Sequence, residues 1–322
     1  MDLKYLPVTG IRLSRLTLGT MMFGGQTDES ESLRIMDLAF ERGINAFDTA
    51  NAYNQGESER IVGKGLKGRR NHVILATKVY GQMGKDLNDM GLSRRNILAA
   101  ADESLRRLDT DYIDIYYLHS PDKHTPVEES LYAMDSLIRT GKVRYVGISN
   151  FAAWQAADVL HIGDKRGYSA PVITQNVYNL LTRGIEAEFL PFLRAHPMGM
   201  AVYNPLAGGL LAGKHRVGKP EEDTRFALNK VYYQRYWSDE NFDAVEHLQT
   251  IAGENELSLL QLSYKWLAMR PEVSTIICGV SKLSQLEENL GLLEGPALNE
   301  QTLAACDDLW QQLAGTRFAY NR

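Results

Sequence analysis

A chain of 322 residues, 44% of them hydrophobic, can bury a full core and stands apart from disordered polypeptides. Its 35 basic and 40 acidic side chains, mixed along the chain to a net charge of −5, leave no electrostatic footprint for nucleic acid or an anionic membrane, so a small-molecule partner is expected. Cys278 and Cys306 are too few for a disulfide framework or a thiolate metal site, and both read as reduced packing residues.

Met1 to Leu18 is interrupted by Asp2, Lys4, Arg12 and Arg15, so it lacks a signal-peptide core, and no stretch approaches a membrane span; a cytoplasmic protein is expected. Lys4 to Leu13 reads as a hairpin around Val8-Thr9-Gly10, a plug for the bottom of a barrel. Short apolar runs rich in β-branched or aromatic residues then alternate with stretches of helical period, the pattern of βαβ units. The predicted strands are Leu16 to Leu18, Ala46 to Asp48, Val73 to Lys78, Ile113 to Leu118, Val143 to Ser149, Val172 to Gln175, Met200 to Tyr203 and Val273 to Cys278. Between them, Ser93 caps a helix with the stripe Ile97, Ala101, Leu105 and Leu108. Pro126 opens another that carries Val127, Leu131, Met134 and Ile138 and stops at Gly141. Gly43, Gly141 and Gly199 each follow a helical stretch and read as left-handed C-terminal caps. No linker, charge block or repeat interrupts this order, so the expectation is one domain over residues 1–322: a closed (β/α)8 TIM barrel with the N-terminal hairpin and extra C-terminal helices. An open doubly wound sheet is the structural competitor. Lys214 to Trp237, rich in aromatics, is a long connection before a helix at Ser238; it reads either as cover for a barrel mouth or as a helical decoration outside it.

The strand ends deliver polar groups: Asp48, Lys78, His119, Ser149-Asn150, Gln175 and Tyr203. In a (β/α)8 barrel these ends converge on one mouth, where such folds place their active sites. An Asp and a Lys that each end a buried apolar run should pair, because an unpaired buried charge costs several kcal/mol. That pair is structural, or it serves Tyr53, five residues beyond Asp48. A phenol is a poor acid near neutral pH, and an adjacent ammonium favours phenolate and makes it a better one. His119 on the next strand is then placed to hydrogen-bond a carbonyl oxygen. No side chain supplies hydride, so a cofactor must. No Gly-x-Gly-x-x-Gly follows an early strand, which leaves phosphate binding by the loops after strands seven and eight; Cys278-Gly279-Val280-Ser281-Lys282 leads there into a helix, unless it is an ordinary capped helix start. No histidine pair has a multi-ligand spacing that would favour a metal-dependent barrel enzyme.

These segments resemble the aldo-keto reductases over essentially the whole chain. Gly43-Ile44-Asn45-Ala46-Phe47-Asp48-Thr49-Ala50-Asn51-Ala52-Tyr53 looks like that family's strand-two signature, and Ala76-Thr77-Lys78, Tyr117-Leu118-His119, Gly147-Ile148-Ser149-Asn150 and Ser281-Lys282 through Asn289 recur in its order. The resemblance implies NADPH-dependent reduction of aldehydes and ketones, with Tyr53 as acid, Lys78 lowering its pKa, Asp48 holding Lys78 and His119 orienting the carbonyl. It implies that Ser149, Asn150 and Gln175 bind the carboxamide and that Tyr203 stacks on nicotinamide. Gly208, Leu210 and Lys214 would fold over the pyrophosphate, with Gly19, Thr20, Asn204, Leu206 and Gly279 also at the cofactor. Ser281, Lys282 and Gln285 would face the 2′-phosphate, and Glu288 and Asn289 the adenine; Lys282 is the reason to expect NADPH rather than NADH. Met22, Phe23, Tyr80, Ser120, Arg225 and Tyr233 are candidate pocket residues, each with packing or solvent exposure as its alternative. Asn204 stands where a serine is usual, and Ile277-Cys278 replaces Ile-Pro. Gly24-Gly25 and the Lys214 to Trp237 connection look like the branch of bacterial reductases and potassium-channel β subunits, which leaves an NADPH-binding redox-sensing subunit with little turnover as the alternative function.

Overall fold

The apolar runs read from the sequence form strands that close on themselves. The computed structural model describes residues 2–222 and 224–315, and two compact units divide them. One holds residues up to Asn176, Ala187–Tyr203 and Glu272–Leu290; the other holds Val177–Glu186, Asn204–Pro271 and residues from Gly291 onward.

In the first unit, β1 (Leu3–Tyr5) and β2 (Arg12–Ser14) pair as the expected antiparallel hairpin. The strands β3 (Leu16–Gly19), β4 (Ala46–Asp48), β5 (Ile74–Val79), β6 (Ile113–Leu118), β7 (Val143–Ser149), β8 (Pro171–Val177), β9 (Gly199–Tyr203) and β10 (Val273–Gly279) close into a parallel barrel, with β10 returning to β3. All eight predicted strands are present to within two residues at each end, and the open sheet is excluded. Small and branched side chains from successive strands fill the interior: Ala46, Ala76 and Ala201 beside Ile115, Ile173, Ile277 and Tyr117. Leu6 and Leu13, each 1% exposed, join this cluster from the hairpin, so the plug is real. Gly147 lets the Tyr117 ring lie against β7, since a Cβ there would strike the ring.

Helices α1 (Glu29–Glu41), α2 (Glu57–Leu66), α3 (Arg94–Leu108), α4 (Val127–Arg139), α5 (Ala153–Arg166) and α6 (Phe189–Ala195) belong to this unit. Ser93 caps α3 by accepting the Asn96 amide, and Pro126 is the N-cap of α4. Gly43 and Gly141 take the left-handed conformation, at φ 81° and 76°. Gly199 does not. It opens β9 in place of a cap, and it is glycine because a Cβ would collide with Leu6 of the plug.

The second unit holds α7 (Arg225–Leu228), α8 (Lys230–Tyr236), α9 (Asp239–Glu254) and α10 (Leu259–Ala268). After α11 (Leu283–Gly291), which lies mostly in the first unit, α12 (Glu300–Ala314) completes it. The Lys214 to Trp237 connection is therefore partly helical. It is pinned by buried Phe226 and Tyr236 and by Trp237, whose ring meets Phe226 and Phe242 edge-on. Cys306 is buried here and Cys278 in the first unit, both as free thiols. Among the described residues, no helix is long and apolar enough to cross a membrane.

Candidate active site

Parallel register sets the site before any side chain does. Asp48 lies opposite Gly19 and Ala76, Lys78 opposite Tyr117, and Ser149 opposite Gln175, so the ends of β4 to β8 form one rim. Gly279 faces Gly19 across the closing pair.

Lys78 is fully buried and Asp48 nearly so. The ammonium donates to Asp48 Oδ1 at 2.5 Å, to the Thr49 carbonyl at 2.7 Å and to the Tyr53 hydroxyl at 3.3 Å, which uses all three N–H bonds. The second carboxylate oxygen of Asp48 accepts from Gln175 Nε2 at 2.8 Å. Burial works to strip the Lys78 proton, but the Asp48 charge and Tyr53 outweigh it and hold its pKa above the ordinary lysine value. A buried pair this fully bonded escapes the penalty of stranded charge.

Tyr53 opens a short 3-10 turn, and the next three residues, Asn54, Gln55 and Gly56, all have positive φ, at 47°, 55° and 88°. Two of these are not glycine, so the turn is strained. Asn54 offsets that cost by donating to the carbonyls of Met21, at 3.0 Å, and Phe23, at 2.7 Å, which ties the loop after β3 to the segment carrying Tyr53. The Asn-Gln-Gly sequence was a turn signal in its own right, but the clamp depends on a loop about thirty residues away.

His119 follows β6, and its ring meets the Tyr53 ring edge-on at 6.0 Å. Burial, with the Lys78 charge behind it, lowers its pKa to about 3, so the imidazole is neutral near pH 7. The phenol of Tyr117 moves the opposite way from an acid: burial, then the Asp48 charge, drives its pKa well up.

Beyond these four groups the rim continues as one hydrogen-bonded chain. Ser149 Oγ donates to the Gln175 carbonyl at 3.0 Å, and Asn150, at φ 63°, donates to the His119 carbonyl at 3.0 Å and to Ser149 Oγ at 3.1 Å. Tyr203 donates to Asn150 Oδ1 at 2.7 Å. Paired amides and hydroxyls beside an aromatic ring are the donor set that a carboxamide on a flat heterocycle requires, so these residues fit the nicotinamide end of a dinucleotide.

Other expected residues are placed less openly. The Thr20 hydroxyl is buried against the Asp48 carbonyl and Ser58 Oγ, so it braces the loop. Phe23 is 0% exposed and packs in the core, not on a pocket wall, while Met22, Tyr80 and Ser120 are half-buried after β3, β5 and β6. Lys282, Gln285 and Glu288 are exposed on α11 and its approach. Gln285 Oε1 accepts the Ser281 amide at 2.8 Å, and Asn289 is buried with its amide on Cys278 Sγ at 3.2 Å.

Within the second unit, Asn204 has φ 60°, accepts the Gly208 amide at 2.6 Å and donates to the Tyr236 hydroxyl at 2.7 Å. Asparagine tolerates that conformation and shapes the glycine turn that follows. Leu210 is buried, Leu206 half-buried and Lys214 exposed; Arg225 lies over the Tyr232 ring, and Tyr233 stacks on Trp237.

The chain resembles known proteins over most of its length. The sequence profile of the Aldo/keto reductase family matches residues 15–311. The chain is 37% identical over 301 residues to a probable voltage-gated potassium channel subunit beta of Oryza sativa subsp. japonica, covering 91% of this chain and 92% of the other. It is 37% identical over 321 residues to the uncharacterized oxidoreductase YrpG of Bacillus subtilis, covering 96% of each. Identity to aflatoxin B1 aldehyde reductase member 2 of Mus musculus is 35% over 315 residues, covering 92% of this chain and 84% of that one.

Proposed function

The chain belongs to the aldo/keto reductase family and is an NAD(P)H-dependent oxidoreductase, and on that premise we propose that it reduces aldehydes or ketones to alcohols with NADPH, Tyr53 giving the proton. The bound dinucleotide supplies hydride to the carbonyl carbon. The protein's part is to hold the carbonyl and to deliver a proton to its oxygen.

The observation that carries this reading is the ammonium of Lys78 3.3 Å from the Tyr53 hydroxyl. As the Tyr53 O–H bond breaks, the proton passes to the carbonyl oxygen and the phenolate left behind faces a cation, which lowers the cost of the transfer. Asp48 keeps that cation in place, and Gln175 keeps Asp48 in place. His119 is a poor rival for the role of acid, because a neutral imidazole with a pKa of about 3 has no spare proton near pH 7; a neutral N–H can still orient the carbonyl oxygen and stabilise its developing charge. Ser149, Asn150 and Gln175 take the carboxamide, with Tyr203 against the ring. Ser281 and Lys282 take the 2′-phosphate, and the ammonium of Lys282 supports NADPH as the cofactor. The roles of Gly208, Leu210 and Lys214 at the pyrophosphate rest on the family likeness alone.

The test is consumption of NADPH with an activated aromatic aldehyde. Tyr53→Phe should lose nearly all turnover and keep its affinity for NADPH; equal turnover in the variant would refute the assignment. Likeness to the plant channel β subunits favours a second reading, a regulatory subunit that senses the cofactor's redox state, and negligible turnover by the native protein over a broad panel of carbonyls would select it.

A further inference from the structure

The start of α11 already carries a carboxylate. A helix N-terminus offers free amides to a negative group, yet two at this end are already bonded. The Ser281 amide goes to Gln285 Oε1 at 2.8 Å, and the Leu283 amide goes to the carboxylate of Glu31 at 2.7 Å. Gln285 is neutral, sits on the helix itself and can swing away. Glu31 is different: it is a full negative charge brought from α1, 252 positions away in sequence, and it is held from three sides. Its own amide is capped by Asp28 at 2.8 Å, its second carboxylate oxygen is paired with Arg34 at 2.9 Å, and its side chain is only 27% exposed. Nearby, Thr27 Oγ1 donates to the Ser281 carbonyl at 3.1 Å, which fastens the segment before α1 to the same turn.

We infer that Glu31 is the residue that sets cofactor preference, and that it sets it against the 2′-phosphate. This rests on the reading above, in which Ser281 and Lys282 receive the adenosine ribose end of the dinucleotide. A phosphate drawn in by Lys282 would come to a turn that already carries a carboxylate, and like charges repel. A ribose 2′-hydroxyl meets no such penalty, because a carboxylate accepts its hydrogen bond, the device by which other dinucleotide sites favour NADH. Lys282 pulls toward NADPH and Glu31 pushes away from it, so this protein should bind both cofactors with a narrow preference.

Glu31→Gln removes the charge and keeps an oxygen to accept the Leu283 amide, so α11 stays capped. Dissociation constants for NADPH and NADH, measured by quenching of tryptophan fluorescence without any substrate, provide a readout independent of turnover. The variant should bind NADPH about tenfold more tightly, with NADH changing less than about twofold. Lys282→Met, measured alongside, should weaken NADPH and spare NADH. If Glu31→Gln shifts both cofactors equally, or neither, the inference is wrong while the reductase reading survives. If the native protein binds neither dinucleotide, the reading of the site fails and takes the inference with it.

Discussion

Replacing Lys78 by Met keeps an unbranched apolar stem, one atom shorter, and removes the charge and the donors. A unit charge 3.3 Å from the phenol oxygen has a gross interaction of about 5 kcal/mol with phenolate at an effective dielectric of about 20. Asp48, 2.5 Å from the same ammonium, cancels much of this, and what remains favours the phenolate over the phenol. Losing it makes Tyr53 a weaker acid, so kcat at neutral pH should fall about 10- to 1000-fold. The alkaline limb of the profile, where the acid is already deprotonated, should move to higher pH. The variant also strands Asp48 in the core with Gln175 as its one remaining side-chain partner, a loss of about 3–5 kcal/mol in stability. Combining it with Asp48→Asn removes the stranded charge, so the double variant should regain most of that stability in a urea titration and none of the turnover. A single variant that kept its turnover within about threefold, with the alkaline limb unmoved, would refute this account of the acid.

Two further outcomes follow from the same residues. His119 stays neutral in the folded protein down to about pH 3, whereas its ordinary value is 6.5; its contribution to stability is therefore complete above pH 6.5 and is lost as pH falls toward 3, by up to about 1.4 kcal/mol per pH unit. His119→Asn should flatten that dependence in denaturant midpoints taken across the acid range, and an unchanged slope would assign it to other groups. Asn54→Ala loses both clamp bonds and a tolerable left-handed residue, for about 2–4 kcal/mol, whereas Asn54→Gly keeps the conformation and should lose about half as much; identical urea midpoints for the two would show that backbone strain plays no part.

How much of this was legible in the sequence depended on the range of the interaction. The barrel strands could be read because β-branched runs between turn residues carry their own signal. The Asp48–Lys78 pair could be read because two charges at the ends of buried runs have few alternatives to each other. Tyr53 followed from the shortness of the loop after β4. Gly199 misled because a glycine between helix and strand usually caps the helix, whereas this one makes room for Leu6, a residue far away in sequence. Phe23 was a pocket candidate with packing as its alternative, and it is fully buried. The short helices α7 and α8 were hidden inside an aromatic-rich connection whose periodicity is too brief to register. Nothing local to Glu31 or Leu283 announces their bond, since it forms only when the closure of β10 on β3 brings the start of α11 to Glu31.

Lys78 has a last consequence for what the pocket can safely hold. Lysine amines attack aldehydes when their nitrogen has a lone pair to give, and a reductase that stored an aldehyde beside one would risk trapping it as an imine. Here the nitrogen is kept protonated and each of its three hydrogens is already engaged. The same bonds that aim its charge at Tyr53 therefore make it inert as a nucleophile, so a carbonyl guest does not condense with it.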